Sequence, residues 1–355
     1  MTVQALRSVT MADGVQYIDF TKAGQGAVLK PLREHLTDPL VSEILINQPG
    51  QVYIEKHGEF TEHKIPEVTN RMLVDLFRTV MVHNKQSNKN LFYGSLEDGS
   101  RITLVAPPVS IYPTVSIRRK VVRLMTLNDY HNQKFFNQIQ TLSNLDDELS
   151  LLEPKDLKLI ELYQSGNQEY FIQEAIKAKK NIVISGGTSS GKTTFLNACL
   201  QEIPSDERII SIEDTRELEV TQDNYVSLKT TSEKDGGEEL KMQDLVKACL
   251  RLRPDRIVMG EIRGQEIIDF ITACSTGHDG SITTIHANNP IHAFQRMAGM
   301  YKQSGGVMTD EDIMRELKSV IDVVIQIGKT PQGRKARAIY YKYADVDLRK
   351  VEHVA

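Results

Sequence analysis

The chain has 355 residues, of which 40% are hydrophobic and 25% charged, with a formal charge of -4. That length allows about two domains with a core each, and the acidic balance excludes a protein whose main work is to wrap nucleic acid, a local basic patch aside. Cys199, Cys249 and Cys274 are scattered and odd in number, so neither a disulfide framework nor a cysteine zinc site is indicated, and a reducing cytoplasm is expected. No apolar run reaches the about eighteen residues of a membrane span, and Arg7 to Asp19 mix charges with turn formers, so neither a span nor a secretory leader is expected.

In chain order, residues 28–36 read as a short amphipathic helix, and Glu43–Asn47 with Gln51–Glu55 as two strands about the Pro49-Gly50 turn. From Asn70 to His83, the residues Met72, Leu73, Leu76, Phe77, Val80 and Met81 share one helical face. Arg101 opens a strand over Ile102–Ala106 that Pro107 and Pro108 break, and the strand Thr114–Ile117 runs into Arg118-Arg119-Lys120. Arginines at both strand ends suit a solvated edge, or a clamp on phosphate oxygens if they face a cleft between domains. Residues 121–150 are polar and rich in Asn and Gln. A mixed α+β N-terminal domain over 1–125, a linker over 126–150 and a second domain over 151–355 are therefore expected. The second domain opens with helices at Glu153–Tyr163 and Glu169–Ala178.

The most informative stretch follows. An apolar strand, residues 181–185, breaks into Gly186, Gly187, Thr188, Ser189, Ser190, Gly191, Lys192, Thr193 and Thr194. Gly186, Gly191, Lys192 and Thr193 match G-x-x-x-x-G-K-[ST], in which glycines let backbone N–H groups turn toward a polyanion at the start of a helix. Phe195, Leu196, Cys199 and Leu200 recur at helical spacing, giving the strand-loop-helix setting the motif needs. Lys192 is expected to reach the β- and γ-phosphates of ATP and Thr193 to ligate Mg²⁺.

Beyond it, apolar strands alternate with helical segments, the pattern of a parallel sheet covered on both faces. The strand Arg208–Ile212 ends at Glu213-Asp214, Ile257–Met259 at Gly260-Glu261, and Ile282–Ile285 at His286. Ligands of open α/β sheets lie outside the carboxyl ends of the strands, so these groups are expected to converge on the cradle. Asp214 and Glu261 suit metal support, Glu213 and Glu261 suit water activation, and His286 suits probing the γ-phosphate. Arg251, Arg253 and Arg256 close the helix expected over Glu238–Leu252, either complementing its dipole or reaching a neighbouring subunit's nucleotide. Glu233–Glu239 reads as a mobile charged loop. Helices near 291–302 and 310–318 and strands at Val320–Ile327 and Ala338–Tyr343 complete the domain.

Four stretches together resemble the secretion ATPase superfamily that includes PilT and GspE. They are Gly186 to Thr194, Ile-Glu-Asp-Thr-Arg-Glu from Ile212, Val-Met-Gly-Glu-Ile-Arg from Val258, and Thr-Gly-His-Asp-Gly-Ser-Ile-Thr-Thr-Ile-His-Ala from Thr276. With Glu43 to Glu55 and Arg101 to Arg118, the chain is most similar to the VirB-type traffic ATPases of type IV secretion systems. The four-cysteine zinc insertion usual in GspE-like relatives is missing, as is the C-terminal helix signature of the retraction motors. The resemblance implies a RecA-like P-loop domain, a homo-hexameric ring, and ATP bound where two domains meet. It implies that Arg101 and Arg118 face the phosphates, that Glu213 and Asp214 are Asp-box acids, that Glu261 is the Walker-B acid and that His286 is the His-box residue. Peripheral attachment to the cytoplasmic face of the inner membrane is implied too, beside the other secretion ATPases and inner-membrane components. The work implied is pilus assembly or substrate transfer. A nucleotide-gated assembly switch is the competing class. A nucleic-acid motor is disfavoured by the charge balance, and no strong sequence-specific nucleic-acid binding is expected.

Overall fold

The computed structural model describes residues 9–10, 16–21, 23–87, 89–119, 126–137, 148–232, 238–303 and 308–350. Near the N-terminus β1 (Val9–Thr10) pairs with β2 (Gln16–Tyr17). The single helix expected over 28–36 is instead α1 (Gln25–Val28), a 3₁₀ turn (Lys30–Leu32) and α2 (Arg33–Thr37). Pro31, which has no N–H to donate, sits inside that 3₁₀ turn. There follow β3 (Val41–Gln48), β4 (Gln51–Lys56), β5 (Glu59–Lys64), α3 (Asn70–His83), β6 (Leu91–Ser95), β7 (Arg101–Val105) and β8 (Thr114–Arg118). Their six strands form one antiparallel sheet in the order β5-β4-β3-β8-β7-β6. Thr69 caps α3 by accepting the Met72 N–H at 3.1 Å, and the helix buries Leu73, Leu76, Phe77, Val80 and Met81, as its periodicity predicts.

A short α4 (Leu127–Asn132) lies in the expected linker, whose residues 138–147 are outside the described residues, as are residues 120–125 before it. Next come α5 (Pro154–Gln164), α6 (Gln168–Lys177), β9 (Ile182–Gly186), α7 (Lys192–Leu200), β10 (Ile209–Glu213), β11 (Tyr225–Lys229) and α8 (Met242–Cys249). The chain continues through β12 (Arg256–Met259), α9 (Glu266–Cys274), β13 (Ile282–Ile285), α10 (Pro290–Lys302), α11 (Asp310–Val320), β14 (Val323–Thr330) and β15 (Gly333–Tyr341). The sheet order is β11-β10-β12-β13-β9-β14-β15, with every pairing parallel except β14 with β15. Alternate residues of β9 enter different cores: Val183 joins the cluster with Phe270, Phe294 and Met297, and Ile182 and Ile184 join the one with Phe171, Leu196 and Tyr341. A strand buried on both faces explains the unbroken apolar run.

The helix α8 is shorter than the expected 238–252. Leu240 exchanges backbone hydrogen bonds with Thr231, and the Lys241 N–H donates to Asp244 Oδ2 at 3.0 Å, so the helix starts at Met242, four residues later than expected. The charged loop's residues 233–237 lie outside the described residues. No helix among the described residues is long and apolar enough to cross a membrane, and all three cysteines are buried thiols.

The antiparallel sheet meets the β10–β11 side of the parallel one. The Lys229 N–H donates to Val109 O at 2.7 Å, and Arg216 Nη2 donates to Val109 O at 3.1 Å. The fully buried Arg208 donates to Asn47 Oδ1 at 2.8 Å and to Leu252 O at 2.9 Å. Leu91, Val105 and Val109 share a core cluster with Val226 and Leu228.

Candidate nucleotide site

The turn after β9 has a shape that particular residues enforce. A Cβ on Gly186 would lie 2.7 Å from Ile327 O of the neighbouring β14, so only glycine fits that close approach. Gly191 has φ 95° and caps α7, aiming the helix's free N–H groups into a cavity of ≈ 440 Å³. Thr188 to Thr194 line this cavity together with Glu213, Asp214, Glu261, Arg263, His286 and Arg334. The carboxyl ends of β9, β10, β12 and β13 thus meet there, as the topology requires.

Within it a polar chain runs from the lysine to the acids. Lys192 Nζ donates to Gly186 O at 3.2 Å, to Gly187 O at 3.3 Å and to His286 Nδ1 at 3.2 Å. The ring's Nε2 is 3.5 Å from the same ammonium, and since an ammonium can only donate, the nearer Nδ1 is the better placed acceptor. Nε2 lies 2.9 Å from Glu261 Oε1, in electrostatic contact rather than in line for a hydrogen bond. Burial lowers the pKa of both Lys192 and His286, with Glu261 acting in the opposite sense. Glu261 Oε2 is gripped by Arg263 through Nε at 2.8 Å and Nη2 at 2.7 Å, and Arg263 Nη1 reaches Asp214 Oδ2 at 2.6 Å.

Glu213 is held differently. It is 2% exposed, its Oε1 accepts the N–H groups of Glu217 at 2.7 Å and Leu218 at 3.0 Å, and its Oε2 is buried without a hydrogen-bond partner among the described residues. Burial raises its pKa, opposed by those two backbone bonds.

Residues 27–330 match the family model described as type II/IV secretion system protein. The type IV secretion system protein VirB11 of Bartonella henselae is 35% identical over 344 residues, covering 94% of this chain and 95% of that one. VirB11 of Brucella suis is 35% identical over 326 residues, 88% of this chain and 89% of that one. The crystal structure of the Brucella suis VirB11 ATPase in complex with sulphate superposes with a TM-score of 0.83 at 32% identity, over 91% of this chain and 98% of that one. The chain belongs to the VirB11 family of secretion ATPases. It is an ATP hydrolase of a type IV secretion system with the VirB11 α/β fold.

Against that family frame the remaining expected residues fall elsewhere. Arg101 and Arg118 are cross-strand partners on β7 and β8, both exposed, and neither lines the cavity. Arg118 Nε lies 3.6 Å from Glu43. Arg251 and Arg253 are engaged with the chain's own antiparallel sheet: the Arg251 guanidinium stands 4.6 Å over the Tyr93 ring, and Arg253 pairs with Glu55 at 2.7 Å. Arg256 is wholly buried and bound to Glu207 at 2.6 and 3.0 Å. Two cations of the cavity lining escaped sequence reasoning. Arg263 follows Glu261 by two positions, a signal that was available, whereas Arg334 lies on a hairpin remote in sequence.

Proposed function

We propose that this VirB11-family ATPase works as a homo-hexameric ring that hydrolyses Mg-ATP to drive pilus assembly and substrate transfer at the cytoplasmic face of the inner membrane. Other secretion ATPases and inner-membrane components would be its partners there. The observation that carries the ATP reading is the meeting of Lys192, His286, Glu261 and Glu213, from four separate strand ends or their following turns, on one cavity. Lys192 neutralises the β- and γ-phosphates from the first turn of α7, and the N–H groups of the turn bind the phosphate oxygens. Glu213, held at one oxygen and without a partner at the other among the described residues, takes a proton from the attacking water. His286 reports the γ-phosphate to Glu261, since it touches both Lys192 and that acid.

No group of three His, Cys, Asp or Glu able to hold a metal alone occurs among the described residues. The donors present, the Thr193 hydroxyl with Glu261 and Asp214, suit Mg²⁺, which takes few protein oxygens and completes its shell from phosphates and water. When bound, the ion would offset charge on the β- and γ-oxygens.

Lys192→Ala tests the reading, because it removes the phosphate-facing charge without opening the core. Steady-state ATP turnover is expected to fall on the order of a hundredfold or more, with the circular dichroism spectrum unchanged. Wild-type turnover in that variant would end the assignment. Negligible turnover in the native chain, combined with nucleotide-dependent assembly, would replace the motor by a switch.

A further inference from the structure

The cavity is bracketed by two sides of the sheet. The acids, Arg263 and His286 come from the ends of β10, β12 and β13, on one flank of β9; on the other flank β14 and β15 form a hairpin whose tip, Thr330–Gly333, extends beyond the end of β9. Arg334 leaves that tip and lays its side chain over the first turn of α7. A Cβ on Gly191 would stand 2.9 Å from Arg334 Cδ, 3.5 Å from Nε and 3.6 Å from Nη1.

Three cations line the cavity, and two of them are already engaged. Lys192 is held by carbonyls and His286, and Arg263 by Asp214 and Glu261. The Arg334 guanidinium has no ion-pair or hydrogen-bond partner among the described residues. Its cross-strand neighbour on β14 is Lys329, a second cation. Like charges directly opposite on a ladder repel, an arrangement that an anion between or beside them relieves.

We infer that Arg334 is a nucleotide-binding residue, a guanidinium that takes the phosphate oxygens ATP and ADP share. The γ-phosphate end is marked by His286, Glu261 and Glu213 on the far flank. The α- and β-phosphates therefore run toward the hairpin, where a planar fork of donors beside the N–H groups of α7 completes their shell. The inference rests on the nucleotide reading of this cavity.

Calorimetric titration of the full chain in Mg²⁺ buffer with ADP and with the non-hydrolysable analogue AMP-PNP tests it. Arg334→Ala is expected to weaken both by about the same factor, on the order of tenfold, the usual worth of a charge-assisted hydrogen bond in an open site. Arg334→Lys recovers part of the loss. Arg337→Ala, which removes a charge from the same strand outside the cavity lining, leaves both affinities unchanged. Three results would overturn the inference: wild-type ADP affinity in Arg334→Ala, a loss confined to AMP-PNP, or an equal loss in Arg337→Ala. Lys192→Ala, titrated alongside, separates the two levels. If it loses nucleotide while Arg334→Ala does not, only Arg334 is misassigned; if it binds normally, the cavity itself has been misread.

Discussion

Glu213 and Glu261 end neighbouring strands, since β10 pairs with β12, but their surroundings differ. Glu213 is buried, tied down at one oxygen and without a hydrogen-bond partner at the other among the described residues, with a pKa that burial raises. Such a carboxylate is suited to accept a proton. Glu261 meets Arg263 on one oxygen and His286 on the other, so its charge organises the other ionic groups. Glu213→Gln is accordingly expected to bind Mg-ATP normally and stall. In Glu261→Gln the Mg²⁺ concentration needed for tight ATP binding should rise and hydrolysis should slow. Single-turnover hydrolysis and Mg²⁺-dependent ATP titration on both variants distinguish the roles, and the opposite pattern would exchange them.

A buried carboxylate within the antiparallel sheet carries a pH signal of its own. Glu43 on β3 is 4% exposed and lies across the ladder from Glu55 and Arg118. Burial pushes its carboxyl to about 7, against the pull of Arg118. Between the ordinary value of 4.5 and about 7 the folded chain holds a proton that the unfolded chain has released. Stability should therefore fall as pH rises through that window. Glu43→Gln, which keeps the shape without the charge, is expected to flatten this slope and to stabilise the protein by ~1–3 kcal/mol at pH 8 relative to pH 5. Urea midpoints of both proteins at the two pH values check it. An unchanged slope would mean that Arg118 already keeps Glu43 ionised at the lower pH.

At the scale of the whole molecule, the antiparallel sheet is joined to the parallel one that carries the cavity. Arg253–Glu55, Arg251 over Tyr93 and the Arg208–Asn47 bond bind this sheet to the parallel one within a single chain. Arg101 and Arg118, side by side on β7 and β8 and exposed, form a paired cationic surface. A sheet that closes over a cavity and presents this pair to a γ-phosphate would discriminate between ATP and ADP. Alanine at either position is predicted to weaken AMP-PNP several-fold more than ADP, on the order of one charge-assisted hydrogen bond. Equal losses for the two nucleotides would return both arginines to the solvated edge of the sheet.

The cradle from Gly186 to Thr194, the acids after β10 and β12 and His286 after β13 were legible in the residues. Each sits where a buried parallel strand must stop, and a strand buried on both faces announces its end by a change from apolar to polar. The helix α3 was legible because one face of it alone is apolar. Other elements carried no such local mark. The edge strand β5, Glu-Phe-Thr-Glu-His-Lys, is largely exposed, and only pairing with β4 makes it a strand. Tertiary structure alone decided the fate of the arginines. Periodicity specifies which face of an element is buried, but a long cationic side chain on an exposed or terminal position takes whatever anion, ring or carbonyl the fold carries to it. Arg253 thus went to Glu55, Arg256 to Glu207, and Arg334, distant in sequence from the cradle, came to rest over Gly191.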